Sequence, residues 1–120
     1  RWPSLGNRWL ASIASRNGRE RIELVDLRNG QPVPLPGINQ SDSQPISVSV
    51  SADGNRIALI RSRDGRTELM LYRRGVGILQ RLPVEPAGVP REISLDGSGR
   101  LLAVQVSRQG RWDVDLIRLP

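Results

Sequence analysis

Six arginines in three near-identical words are the residues of this chain most open to a chemical role. The words read Ser15-Arg16-Asn17-Gly18-Arg19, Ser62-Arg63-Asp64-Gly65-Arg66 and Ser107-Arg108-Gln109-Gly110-Arg111. A guanidinium forks onto carboxylate, sulfate or phosphate, so Arg16, Arg19, Arg63, Arg66, Arg108 and Arg111 are the candidate contacts to an anionic partner. All eighteen basic residues are arginine and the net charge is +6. A GC-rich genome alone accounts for that bias, and solubility of a polar turn accounts for the words themselves.

Covalent and acid–base chemistry finds little to use. The chain has no histidine and no cysteine, which removes the commonest general base and metal ligand, every thiolate nucleophile and every disulfide. No Gly-x-Ser-x-Gly elbow and no Gly-rich loop ending in Gly-Lys-Ser/Thr is present. Asp113 and Asp115 share a strand face and present oxygens to a cation or, more simply, to arginine; Glu23 and Asp26 read the same way. No cofactor and no metal site is expected. Trp9 and Trp112 suit packing better than a sugar or peptide platform. Nucleic acid is not an expected partner, because Trp112 is the one aromatic beside the arginine words. No apolar run is long enough to span a membrane. Arg1 in place of an initiator Met reads as a mature or trimmed start.

The elements that must position these arginines follow from the repeat. The serines stand at 15, 62 and 107, so the spacing is 47 and then 45 residues, a period typical of stacked repeats. Seven residues on come Ile22, Leu69 and Val114; nine on, Leu24, Leu71 and Leu116. Apolar residues two apart describe a strand with one face covered. Before each word lie Leu10-Ala11, Ile57-Ala58 and Leu102-Ala103 on a preceding strand. Asn17-Gly18 and Asp64-Gly65 are preferred pairs for a two-residue hairpin turn with positive φ. Gln109 accepts that conformation less readily, so the third turn is expected to be longer or looser.

A strand precedes each hairpin: Ile46 to Val50, Ile93 to Leu95, and a shortened version around Trp2 to Asn7. Another follows at roughly Gln31 to Leu35 and Gly77 to Leu82. Four antiparallel strands in about 45 residues make a propeller blade. The expected fold is all-β, a single domain of about three four-stranded blades, roughly 1–40, 41–88 and 89–120, the last without its fourth strand.

The stretch Ser51-Ala52-Asp53-Gly54-Asn55-Arg56-Ile57-Ala58-Leu59, followed by Ser62-Arg63-Asp64-Gly65-Arg66 and Glu68-Leu69-Met70-Leu71, resembles the WD-repeat-like blade of TolB-like propellers. The resemblance covers nearly the whole chain, and Ala52 stands where that family prefers proline. It implies a non-catalytic scaffold that binds protein or an anionic polymer, located outside the cytoplasm (periplasmic). It equally implies the accessory propeller of a hydrolase, peptidase or lyase whose catalytic part is elsewhere. Three blades do not close a ring. Either two chains join as half-rings into a six-bladed homodimer, the reading preferred here, or the chain belongs to a longer propeller. An open sheet assembly that is blade-like only locally is the third possibility.

Overall fold

The computed structural model describes residues 4–5 and 8–120 and, for side chains, 8–120. Readings placed on Arg1, Trp2, Gly6 and Asn7 lie outside the described residues. Among the described residues every regular element is a strand: β1 (Ser4–Leu5), β2 (Trp9–Arg16), β3 (Arg19–Asp26), β4 (Gln31–Val33), β5 (Ser43–Val50), β6 (Arg56–Arg63), β7 (Arg66–Arg73), β8 (Ile78–Leu82), β9 (Val89–Leu95), β10 (Leu101–Arg108) and β11 (Arg111–Arg118). They form three antiparallel sheets in chain order, β1-β2-β3-β4, β5-β6-β7-β8 and β9-β10-β11. No helix long and apolar enough to cross a membrane occurs among the described residues.

The three hairpins share one geometry. Arg16 pairs with Arg19, Arg63 with Arg66 and Arg108 with Arg111. Both turn residues are left-handed each time: Asn17 and Gly18 at φ 52 and 76, Asp64 and Gly65 at 51 and 72, Gln109 and Gly110 at 48 and 78. The third turn is therefore as tight as the others, against the expectation for Gln109. Eight residues of β10 pair in unbroken register with eight of β11, and that ladder imposes the turn on a residue of poor local preference.

Other repeated contacts are made by the backbone. The amide of Leu27 donates to the Arg8 carbonyl at 2.7 Å, that of Arg74 to Asn55 at 2.8 Å and that of Leu119 to Arg100 at 2.7 Å. These positions recur at 47 and 45 residues. The first strands of the second and third sheets are longer than read from Ile46 and Ile93. Each carries a bulge, at Pro45/Ser47 in β5 and opposite Gln105/Val106 in β9, so apolar alternation breaks where the strand continues.

Two aliphatic layers hold the sheets face to face. Between the first and second sheets lie Trp9, Ala11, Ile22 and Leu24 against Val48, Val50, Ile57, Leu59, Met70 and Tyr72. Between the second and third lie Ala58, Ile60, Leu69 and Leu71 against Leu95, Leu102, Val104, Val106 and Leu119. The second sheet is thus covered on both faces, which explains its unbroken run Ile57-Ala58-Leu59-Ile60, each 0–1% exposed. The third sheet buries one face. On the other, Trp112, Val114 and Leu116 are 62%, 70% and 68% exposed.

Candidate partner-binding face

The hairpin register sets a problem for the arginine words, because each places two guanidinium groups directly opposite one another. The structure resolves it by drawing the first arginine of each pair diagonally across the hairpin to an acid on the facing strand. Arg16 donates to both carboxylate oxygens of Glu23, at 2.9 and 3.2 Å, while staying exposed. Arg108 occupies the same place in the third sheet and takes the acid at the same offset, Asp115, in a two-pronged pair. In the second sheet that offset falls on Met70. Arg63 therefore leans toward Glu68 at 3.7 Å, an acid held more closely by Arg61 at 3.1 Å.

The six candidates consequently meet different fates. Arg108 is buried, with 8% of its side chain exposed; it donates to Asp115, to Asp113 at 3.2 Å and to the Pro86 carbonyl at 2.9 Å. It works as a pin between hairpin and loop rather than as a free charge. The Asp115 pair raises the basicity of Arg108 further, and Arg108 in turn holds the Asp115 carboxyl below its ordinary range. Arg19 donates to the Ser41 carbonyl at 2.8 Å. Arg66 and Arg111 are exposed, and neither forms an ion pair among the described residues. The Pro86 and Ser41 contacts bring residues 83–88 and 34–42 to the same end of the sheets as the three words, so all three words share one rim.

Beside the first word the rim is notched. A cleft of about 350 Å³ has Ile22, Ile38 and Leu59 on its floor and Asn39, Gln40 and Arg61 on its walls. The Asn39 carboxamide accepts from the Ile22 amide at 2.8 Å and donates to the Ile22 carbonyl at 2.9 Å, so it serves β3 as a strand partner would. Gln40 takes Arg61 at 3.0 Å. Sequence reasoning gave no hint of Asn39, since the repeat places Pro86 at its equivalent and no pattern marks it.

The opposite rim is built for structure. Ser51 donates to Asp53 at 2.6 Å, and Asp53 also accepts the Asn55 amide at 2.9 Å. In the third sheet Ser98 donates to Asp96 at 2.8 Å, and Asp96 accepts the Leu101 and Arg100 amides, each at 3.0 Å. Donor and acceptor have exchanged positions while the network is kept. Arg28 and Arg73 are engaged by Asp26 and Gln80. Arg74 donates to the Gly54 carbonyl at 2.8 Å and lies over Trp9, 4.5 Å from the ring centre; Arg8 also lies 4.5 Å from it. Arg8 is fixed in turn by Asp26, at 3.1 and 2.7 Å. Trp9 is accordingly a packing residue between two cations, whereas Trp112 lies open to solvent on the third sheet, away from the packing role expected of it. Asp113 and Asp115 both pair with Arg108, and no group of acids able to hold a metal ion occurs among the described residues.

No family model matches the chain, and no curated protein matches it. Solved structures do. TolB from Acinetobacter baumannii superimposes with a TM-score of 0.72 at 21% identity, over 98% of this chain and 29% of that one. A putative TolB from Agrobacterium tumefaciens gives 0.68 at 20%, over 92% of this chain and 39% of that one. A puromycin-hydrolyzing peptidase of Mycobacterium tuberculosis gives 0.68 at 19%, over 97% of this chain and 19% of that one. The chain therefore spans well under half the length of each, and what the likeness shows is its fold, that of the TolB-like β-propeller.

Proposed function

We propose that this chain is a non-catalytic TolB-like β-propeller module that binds a partner, protein or anionic polymer, outside the cytoplasm. The observation that carries the reading is the rim of arginine words. Arg66 and Arg111 extend from it without an ion pair among the described residues, and Arg19 is held there by a backbone carbonyl. The fold and the location come by analogy with TolB, and fold alone does not specify function.

Cationic groups that are exposed and unpaired attract by a long-range term that salt screens. Binding of poly-L-glutamate is expected to weaken at least tenfold between low and high salt, and further in Arg66→Glu/Arg111→Glu. Affinity indifferent to both would overturn the reading. A second reading, an accessory propeller working beside a hydrolase domain, is favoured by the likeness to the peptidase. It predicts that the chain binds a catalytic domain rather than an acidic polymer.

A further inference from the structure

The boundary between the first and second sheets and the boundary between the second and third are built on the same repeat, yet they are filled differently. At the second boundary Val106 is 0% exposed and the loop backbone lies directly on it: a Cβ built on Gly88 would fall 2.5 Å from the Val106 side chain and 2.6 Å from that of Arg108. The position 45 residues earlier is Arg61, and there the cleft beside the first word stands open, with Ile22, Ile38 and Leu59 on its floor. The cleft is therefore not a by-product of the repeat.

Arg61 is 4% exposed. Its Nε donates to Glu68 at 3.1 Å and its Nη1 to the side-chain oxygen of Gln40 at 3.0 Å, whereas Nη2 makes no hydrogen bond among the described residues. No buried side-chain nitrogen or oxygen is left unpaired among those residues. Nη2 must therefore reach solvent, and the cleft whose wall Arg61 forms is where it does so. Gln40 also has a donor to spare. Arginine can only donate, which fixes the Gln40 oxygen toward Arg61 and Arg63, and the Gln40 nitrogen makes no hydrogen bond among the described residues. Each spare nitrogen sits one carbon away from the Arg61–Gln40 bond. The backbone that carries Gln40 is held in three ways: Asn39 by Ile22, Ser41 by Arg19, and the Gln40 carbonyl by the Ser43 hydroxyl at 3.2 Å.

We infer that the cleft seats one glutamate side chain of an extended acidic partner chain, with the carboxylate shared between Arg61 Nη2 and Gln40 Nε2. The inference rests on the binding-module reading above and narrows its partner to a peptide. A carboxylate offers two oxygens to two such donors. Arg16, Arg19, Arg21 and Arg61 line the cleft against Glu20, and the acids that pair with Arg16 and Arg61 still leave a positive excess. The aliphatic floor suits a methylene stem, whereas it would strip water from the hydroxyls of a sugar ring without replacing their bonds. A second hollow shares Arg19, Glu20, Ser41 and Ser43 with the cleft and reaches Arg63 and Asp64 of the second word. Residues flanking the seated glutamate thus have a path along the rim.

Titration of N-acetyl pentaglutamate into the chain, followed by amide NMR, should shift the Ile22 backbone amide and the Gln40 side-chain amide in a saturable way. Gln40→Glu keeps an acceptor for Arg61, so its urea midpoint should hold or rise. It also removes the amide donor and sets a charge against the incoming carboxylate, so affinity should fall about tenfold. Gln31→Glu makes the same change of charge at an exposed position on the opposite rim and should cost no more than about twofold. Pentaglutamate bound equally well by Gln40→Glu, or shifts confined to residues outside the cleft, overturns the inference and leaves the binding-module reading standing. Polygalacturonate that displaces pentaglutamate and is weakened alike by Gln40→Glu also overturns it, in favour of a sugar polymer as the occupant. Failure of every acidic polymer to bind would overturn both.

Discussion

Gly54 lies against the indole of Trp9: a Cβ built on Gly54 would fall 2.5 Å from the ring atoms Cε2 and Nε1. The glycine belongs to the turn after β5, the tryptophan to β2, so this contact joins two sheets. Gly54 also has φ +73. Gly54→Ala therefore meets both a backbone penalty and a ring that cannot yield, and about 2–4 kcal/mol of destabilisation is expected. Gly18 has φ +76 and nothing within 4 Å. Gly18→Ala isolates the backbone part, at about 1 kcal/mol. Urea midpoints of the two variants measure the difference; equal midpoints would show that the turn can move off the ring.

Leu24 and Leu116 occupy the same place in the repeat but differ in exposure, 0% against 68%. Leu24→Ala should cost about 2–5 kcal/mol through lost burial and a cavity. Leu116→Ala should change the stability of the single chain by no more than about 0.5 kcal/mol. Denaturation at low protein concentration compares them, and a large loss for Leu116→Ala there would mean that its face is already covered within one chain.

Gln109 holds φ 48 because the flanking strands demand it. Asparagine takes up this conformation with less strain, as it does at Asn17, so Gln109→Asn should stabilise by about 0.5–1 kcal/mol. The thermal midpoint should rise, and the three hairpins should then be alike in turn chemistry. A fall would indicate that the Gln109 side chain contributes something its backbone angle does not reveal.

Four carboxyls titrate below their ordinary range in the folded chain. The Arg8 guanidinium lowers Asp26 and the Ser51 hydroxyl lowers Asp53. The Leu101 amide lowers Asp96 and the Arg108 guanidinium lowers Asp115. Unfolded aspartates take up protons near pH 4, and the folded ones hold out to lower pH. The unfolded state thus binds more protons in that interval, and stability falls as pH drops through it. With no histidine, urea midpoints should be flat from pH 6 to 8 and decline below about pH 5. Asp115→Asn should make the acid decline shallower. A midpoint that stays level down to pH 3 would contradict these pairings.

The period in the sequence is enough to locate β2, β3, β6, β7, β10 and β11, because each pairs apolar alternation with a turn dipeptide. It locates the covered face of the first two sheets equally well, at Ile22 and Leu69, whereas Val114 in the same place is 70% exposed. The fates of side chains at strand ends are another matter. Arg16 and Arg108 bear the same letter in the same word, yet one is 61% exposed and the other 8%. The difference comes from the Pro86 carbonyl, supplied by a loop that the repeat does not encode. Asn39 was hidden for the same reason. The candidate rim could therefore be found from the words, while deciding which of its arginines remain available needed the loops.

The exchanged pair Ser51/Asp53 and Asp96/Ser98 bears on how such a turn drifts over generations. A lineage passing from one spelling to the other must travel through two serines or two aspartates. The double-acid form sets like charges within a few ångströms and loses the hydroxyl donor, whereas the double hydroxyl form keeps a serviceable bond. The neutral route should leave its trace as Ser-x-Ser turns in related blades, with Asp-x-Asp scarce. Identity scores decay along that route even while the loop's wiring endures.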